Sequence, residues 1–345
     1  MRARRCRLLA ASALVLGGLI VGPAGAARAA GVCSPTVAAV GFSDALDKTT
    51  AAGESVAGIS ALAHDRRSGR YLALPDHTEA TALVWPLAGL DDVPVARPRV
   101  AGPPLRLRGP DGRLLPGRSD TEGLAVLADG SLVVSAETGP ALRVFGRDGA
   151  WRYDVPVPPR FAPAPVGRAV PNAGFEGLAA TPSGRRLVAA MERPLLGEDP
   201  GSVVFLDYRI GAAGRFILAR ELRYRPAPGM RVAEIAAYRE DRLVVLEAAY
   251  SARRGNSVVL ADAQIGPAAG PGRTRVVHRR PLADLVHCPT MGARSREYQR
   301  NPLLDNYEAM AVVPRAGGYT IHLVSDDNHS KHQTTRLLTL WATLP

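Results

Sequence analysis

Lysine is nearly absent from this chain. The sequence has 345 residues, with 43 lysines and arginines together, but Lys48 and Lys331 are its only lysines. The arginines are spread along the sequence, without the dense basic block or basic helix that follows a nucleic acid backbone. The net charge of +11 therefore does not indicate a nucleic acid partner.

Long apolar runs are scarce as well. The longest, Leu8–Val21, is shorter than the roughly 20 residues of a membrane-spanning helix. It follows four arginines and precedes Ala27-Arg28-Ala29, a pattern typical of a secretory signal. We therefore expect residues 1–29 to be a signal peptide and the mature protein to be secreted, with no membrane partner.

A Ser/Gly-rich linker and a shift in composition are also missing after the signal. We expect residues 30–345 to form a single domain that is monomeric. The G-x-S-x-G elbow, the P-loop, the H-E-x-x-H helix and the dinucleotide fingerprint do not occur in a suitable context. Any catalysis must therefore use another arrangement of residues.

Cysteine is rare, and its positions are informative. Of three cysteines, Cys6 lies in the expected signal, which leaves Cys33 and Cys288 as an even pair. In an oxidising compartment such a pair favours a disulfide, here closing a loop of about 255 residues. Two unpaired thiols are the alternative.

The chain does contain a repeat: an acid, a short apolar strand, a turn, and a second strand that ends in another acid. The copies begin at positions 54 to 74 residues apart, namely Ser60, Glu122, Glu176, Glu234 and Glu308. Turn sequences such as Asp129-Gly130 and Ser183-Gly184 predict that each copy is a β-hairpin.

Further strand-like segments follow most of the hairpins. Repeated meanders of three or four strands predict an all-β fold, a β-propeller. The spacing favours six blades and allows five, with the sixth placed between Glu247 and Glu308. The segments 37–42 and 336–344 lack complete units of their own, so we expect them to share a blade that closes the ring.

The acids of the repeat are the candidate metal ligands. Innermost strands line the channel of a propeller, so acids at equivalent positions converge and repel each other unless a cation compensates them. The candidates are Glu122, Glu137, Glu176, Glu192, Glu234, Glu247, Glu308 and Asp326. Ligand sets made only of oxygen suit Ca²⁺ or another divalent cation. In the alternative interpretation each acid caps a backbone group or pairs with an arginine, as Glu192 could with Arg193, and only joins the blades.

The last copy is the richest in reactive side chains. Asp326, Asp327 and His329 follow its second strand, and we take them as the catalytic candidates. A histidine beside a carboxylate-bound cation could act as a general acid on an ester. A polar loop that faces solvent is an equally good interpretation of this segment.

Several segments resemble the phytase-like esterase family, in particular its secreted actinobacterial members. They are Asn172–Ala179, Met191–Leu195, Thr121–Ala125, Ser135–Glu137, Asn306–Glu308 and Ser325–Asn328. The resemblance implies a β-propeller that hydrolyses esters, including phosphate esters, with the help of divalent cations. For a phosphate ester it makes Arg143, Arg193, Arg231 and Asn328 candidates for binding the substrate. The chain departs from the family pattern at Ser60, which replaces a lead acid, and at Ala309, which replaces a glycine.

Two other functions remain open at this point. One is a lactonase-like hydrolase of carboxyl esters, in which a single central Ca²⁺ polarises the carbonyl group. The other is a propeller without catalytic activity that binds a glycan or a protein through its loops.

Overall fold

The computed structural model describes residues 31–92, 96–137, 141–266 and 274–345. The expected signal peptide, residues 1–29, lies outside the described residues. The described part is built from β-strands, with short 3-10 turns at Pro159–Phe161 and Leu285–His287 and no α-helix. In this part no helix is long and apolar enough to cross a membrane.

The strands form five sheets of four or five strands and one small hairpin, and all pairs are antiparallel except one short edge pair. The described part starts with β1 (Val32–Ser34) and β2 (Val37–Ser43), followed by the hairpin of β3 (Thr50–Ala51) and β4 (Glu54–Ser55). Blade 1 contains β5 (Ile59–Asp65), β6 (Arg70–Pro75), β7 (Leu83–Ala88), β8 (Arg99–Val100) and β9 (Leu105–Arg106). Blade 2 contains β10 (Thr121–Val126), β11 (Leu132–Ala136), β12 (Ala141–Phe145) and β13 (Trp151–Val155).

The remaining blades follow in chain order. Blade 3 contains β14 (Phe175–Ala180), β15 (Arg186–Met191), β16 (Val203–Ile210) and β17 (Phe216–Tyr224). Blade 4 contains β18 (Arg231–Arg239), β19 (Arg242–Ser251) and β20 (Gly255–Gln264). A two-residue strand, β21 (Arg275–Val276), adds to the edge of blade 3, and β22 (His278–Asp284) completes blade 4. Blade 5 contains β23 (Tyr307–Arg315), β24 (Gly318–Ser325) and β25 (Leu337–Ala342).

The five sheets form a closed ring. Strands β5, β10, β14, β18 and β23 pack against one another in this order, and β23 returns to β5. The all-β propeller is therefore confirmed, with five blades in the described residues, the smaller of the two numbers that the sequence allowed. The interval that could have held a sixth blade instead supplies β20 and β22 to blade 4.

The ends of the chain close the ring in the way the sequence predicted. Strand β2 pairs with β25, for example Val37 with Ala342 and Ala39 with Leu340, so the N-terminal segment completes blade 5. Cys33 of β1 forms a disulfide with Cys288. This bond ties the start of the described chain to the segment between blades 4 and 5.

A β-bulge occurs at the same place in all five inner strands. The residues at this lead position are Ser60, Glu122, Glu176, Ala233 and Glu308. Bulges change the direction in which a side chain points. Two residues further along each strand, the buried side chains of Leu62, Leu124, Leu178, Ile235 and Met310 line one central cavity of about 270 Å³. The EGLA phrase thus places an acid at the lead position and an apolar residue two positions later along the same inner strand.

Glycine in this phrase has a packing reason. A Cβ atom on Gly177 would lie 2.8 Å from the backbone nitrogen of Ile235, and one on Gly123 would lie 2.6 Å from the carbonyl oxygen of Glu176. Each glycine therefore lets the next inner strand approach closely.

Candidate functional site

A second set of acids lies beside the lead position, directly after the second strand of the hairpin in blades 1, 2, 3 and 5. The same backbone bond positions this acid in four blades: Asp76 N to Gly58 O, Glu137 N to Asp120 O, Glu192 N to Gly174 O, and Asp326 N to Asn306 O, at 2.9 to 3.0 Å. The recurrence explains why the acids of blades 1, 2, 3 and 5 converge on one end of the channel.

Two groups of these carboxylates are close enough to share an ion. In each group one carboxylate oxygen per residue lies within 4.8 Å of the others. The first group, the 120/122/137 group, is Asp120, Glu122 and Glu137; the second, the 137/176/192 group, is Glu137, Glu176 and Glu192.

A basic side chain neutralises the second group. Arg231 lies with Nη1 3.4 Å from Glu176 Oε1 and with Nε 3.4 Å from Glu192 Oε1, and its Nη2 donates to Glu308. The guanidinium is well buried, and these three carboxylates raise its pKa although burial opposes them. Arg231, predicted to bind substrate, therefore acts as an internal cation on this side of the channel.

In the first group, Glu122 has no such partner among the described residues. Glu122 is 9 % exposed and makes no hydrogen bond or ion pair with another described residue. Burial raises the pKa of Glu122 well above its ordinary value, and the carboxylates of Glu176, Glu308 and Asp76 raise it further.

The carboxyl group of Glu137 also has a raised pKa. Burial raises its pKa to about 7, while Asp120 and Glu192 add to the rise and a hydrogen bond from the backbone N–H of Gly174 opposes it. Only Oε1 of Glu137 takes part in that bond. Glu137 thus joins blades 2 and 3, as the alternative interpretation proposed, and its other oxygen has no described partner.

A further polar group at the lead position also lacks a partner. Ser60 is 3 % exposed, and its hydroxyl has no hydrogen bond within the described structure. Ser60 replaces the lead acid in blade 1, so the register places it on the same ring as Glu122 and Glu308. An unpaired buried hydroxyl is costly, and a ligand or an ordered water would satisfy it.

Two of the candidate metal ligands lie elsewhere. In blade 4 Val232 pairs with Glu247. Glu234 and Glu247 therefore each lie one position away from the lead acid and the second acid of the other blades. Oε1 of Glu234 accepts hydrogen bonds from the backbone nitrogens of Leu178 and Ile235. Because the side chains of a strand alternate between its two faces, the shift removes Glu234 and Glu247 from the carboxylate ring.

Glu247 has its own set of donors. Arg279 binds both of its oxygens at 2.7 Å, the hydroxyl of Tyr224 donates to Oε1, and the N–H of Ala227 donates to Oε2 at 3.1 Å. These contacts give Glu247 a structural role within blade 4 and between blades 3 and 4.

The catalytic candidates of blade 5 divide into two kinds. Asp326 is buried, and burial followed by the charges of Glu308 and Asp76 raises its pKa. Asp327 is fully buried and forms an ion pair with Lys48. Its Oδ1 also accepts from the N–H groups of Gly58 and His329, each at 3.2 Å, so Asp327 fastens the loop after β24 to the N-terminal segment.

The remaining candidates for substrate binding are spread out. Arg143 lies on β12, paired in register with Val134 and Asp154, away from the inner strands. Arg193 is exposed and lies 3.4 Å from Glu192, the pairing that the alternative interpretation named. Asn328 borders a separate cavity beside the carboxylate ring.

Sequence reasoning missed three residues at this end of the channel. Asp120, His77 and Arg118 all lie there. The sequence repeat could have drawn attention to Asp120, because it is an acid at the position that Gly58, Gly174 and Asn306 hold in other copies. His77 directly follows an acid of the second register, which also could have drawn attention to it.

Comparisons with known proteins agree with this arrangement at the level of the family. The phytase-like family, described as having the esterase-like activity of phytase, matches residues 54–329. No curated protein matches the chain.

Solved structures resemble the chain only distantly. A protein of unknown function from Dyadobacter fermentans is 11% identical, with 90% of this chain and 100% of that chain covered and a TM-score of 0.45. A putative glycoside hydrolase from Parabacteroides distasonis is 11% identical, with 82% and 86% covered and a TM-score of 0.41. A putative oxidoreductase (glucose dehydrogenase) from Thermus thermophilus is 14% identical, with 83% and 97% covered and a TM-score of 0.37.

The match of the family model covers most of the chain, including all five lead positions and the first residues of the loop after β24. The chain therefore belongs to the phytase-like family.

Proposed function

We propose that this protein is a divalent-cation-dependent ester hydrolase, that it acts at the carboxylate end of the propeller channel, and that Ca²⁺ is its cation. The observation that carries the proposal is Glu122, a buried acid among acids that has no cationic partner in the described residues. Membership of the phytase-like family supports hydrolysis of esters.

The 120/122/137 group fits a hard cation. Its donors are all carboxylates, and the raised pKa of both Glu122 and Glu137 means that burial and mutual repulsion oppose their ionised forms. A cation offsets that repulsion and favours the ionised forms. When bound there, Ca²⁺ would supply Lewis acidity toward an ester oxygen. Asp120, Glu122 and Glu137 would hold it.

Arg231 limits how many cations the ring needs. It already compensates Glu176, Glu192 and Glu308, so one divalent ion in the remaining group suffices. Phosphate esters are our first candidate substrates, with Arg231 in place of a second bridging cation and Arg193 and Arg118 near the mouth to bind phosphate oxygens. Carboxyl esters, including lactones, are the second candidate, because a single cation is enough for them.

Export of the protein is part of the proposal. The disulfide between Cys33 and Cys288 is typical of proteins that leave the cytosol. A small-molecule ester is the expected partner.

An assay with four substrates tests the function. Purified protein, stripped with a chelator and refilled with Ca²⁺, is given a phosphomonoester, a short acyl ester, a lactone and phytate. Phosphate release restored by Ca²⁺ supports the first candidate, and acyl or lactone cleavage without phosphate release supports the second. If none of the four substrates is cleaved and Glu122→Gln changes thermal stability alone, the enzymatic proposal is wrong.

A further inference from the structure

A cavity of about 550 Å³ opens beside the carboxylate ring at the edge of blade 1. Its lining includes His77, Glu79 and Arg118, together with Asn328 and His329 from the loop after β24. Asp76 also borders the cavity, and its charge acts on both Glu122 and Asp326. The cavity is therefore next to the proposed cation group.

Both oxygens of Asp76 are committed to His77. Oδ1 accepts from the backbone N–H of His77 at 2.6 Å, and Oδ2 lies 2.7 Å from its Nδ1. Asp76 follows the register of Glu137 and Glu192, but it orients an imidazole and does not offer a free oxygen to a cation. With Nδ1 held by a carboxylate, the proton of the neutral ring belongs on Nδ1, and Nε2 is left as a base.

The surroundings fix this pair in place. The Nε2 atom of His329 lies 3.3 Å from the carbonyl oxygen of His77. A Cβ atom on Gly58 would lie 2.5 Å from Asp76 Oδ1 and 2.8 Å from His329 Nε2, and Gly58 has a φ of +63°. Glycine is needed here both for its backbone conformation and for the close approach of the two side chains.

We propose that His77, oriented by Asp76, is the general base and general acid of ester hydrolysis in this cavity. This inference rests on the proposed function. Nε2 removes a proton from water while the water oxygen forms a bond to the ester carbon or phosphorus. The bond to the leaving oxygen then breaks, and the same proton passes from Nε2 to that oxygen, so that water is the only other reactant.

The side chain of His77 is well placed for this role. It is 43% exposed, whereas Asp76 is only 21% exposed, so the imidazole reaches the cavity while its carboxylate partner stays behind it. The charged and titratable groups that face it are Asp76 and Glu79 from its own segment, Arg118 from the loop before β10, and His329 from the loop after β24. Arg118 makes no ion pair with another described residue, so it is available to bind an anionic part of the substrate.

The kinetic test compares His77 with an exposed histidine of the loop that holds His329. His77→Asn should lower kcat by about 10²-fold to 10⁴-fold, the usual contribution of a general base, with little change in KM, and it should remove the acid limb of the pH–rate profile. His332→Gln, an exposed residue of the loop that holds His329, should keep both kcat and the profile. If the wild type hydrolyses esters and His77→Asn does so equally well with the same profile, the role of His77 is wrong while the proposed function stands. If the wild type hydrolyses none, the proposed function fails, and this inference fails with it.

A spectroscopic test does not depend on turnover. In protein with ¹⁵N-labelled histidine, the neutral ring of His77 should carry its proton on Nδ1, and Asp76→Asn should change that state. A ring with its proton on Nε2 in the wild type would overturn the proposal whatever the activity. Thermal unfolding of each variant shows whether the fold is kept.

Discussion

The guanidinium of Arg231 lies 3.4 Å from the carboxylate of Glu192, although the two residues belong to different blades. Arg231 pairs in register with Ala248, which stands where the other blades carry the second acid. Blade 4 thus contributes a cation to the ring in place of two acids. This exchange leaves Glu122 as a buried lead acid with no cationic partner among the described residues.

Replacement of Arg231 should show how much its guanidinium stabilises the buried acids around it. Arg231→Gln leaves Glu176, Glu192 and Glu308 buried without their partner, so the unfolding free energy of the chelated protein should fall by about 3 kcal/mol, in the range for a broken buried pair. Added Ca²⁺ should recover more stability in this variant than in the wild type, because a second ion can replace the guanidinium. Chemical denaturation with and without Ca²⁺ measures both effects.

Arg225→Gln is the matched control for that experiment. Arg225 pairs with Asp199 at the surface, where both side chains are exposed, and such pairs contribute little. We expect less than about 1 kcal/mol and no dependence on Ca²⁺. Equal losses in the two variants would contradict the account of Arg231.

The pH dependence of stability should report the state of Glu137. Its pKa of about 7 in the folded protein is above the 4.5 of an unperturbed glutamate. At pH values between 4.5 and about 7, Glu137 keeps its proton in the folded state and releases it in the unfolded state. Glu137 therefore lowers the stability of the protein as the pH rises from 4.5 to about 7. The melting temperature of chelated wild type should therefore fall between about pH 4.5 and pH 7 relative to that of Glu137→Gln.

Calcium should cancel the loss of stability that Glu137 causes at pH 8, because the ion stabilises the ionised carboxylate. Calorimetric scans at several pH values, with chelator or with Ca²⁺, provide the comparison. A wild type whose stability follows that of Glu137→Gln at every pH would show that the carboxyl group is not perturbed.

Loss of the disulfide should weaken the ring closure. Cys33 and Cys288 are 255 residues apart, and a bond over so long a loop restricts the unfolded chain strongly. Cys33→Ser with Cys288→Ser should lower the unfolding free energy by about 2–5 kcal/mol. Reductant should destabilise the wild type similarly and leave the double variant unchanged; an effect of reductant on the variant would point to another cause.

The propeller could be predicted from the sequence because each blade repeats the same hairpin chemistry, and the two end segments lacked partners. The number of blades could not be fixed, since blade 4 recruits β22 across a long connection. The registers of blade 4 were also misjudged when Glu234 was aligned with Glu122. The apolar residue two positions after the lead gives the better alignment, because Ile235 then matches Leu178 and Ala233 takes the lead position.

The candidate site could be predicted only in part for a related reason. Recurrence identifies residues that several blades share, such as Glu122 and Glu176. It cannot identify those that one blade changes, and Arg231 and His77 are of that kind. Their roles depend on contacts between blades, which become visible only when the ring is closed.

The most direct test of the account is a calorimetric titration of Ca²⁺ into chelator-treated protein at pH 8. We expect one saturable site per chain, lost in Glu122→Gln and kept in Glu234→Gln, in which the amide oxygen can still accept from the backbone. Absence of binding by the wild type, or binding that survives Glu122→Gln but is lost in Glu234→Gln, would contradict the assignment of the cation to Asp120, Glu122 and Glu137.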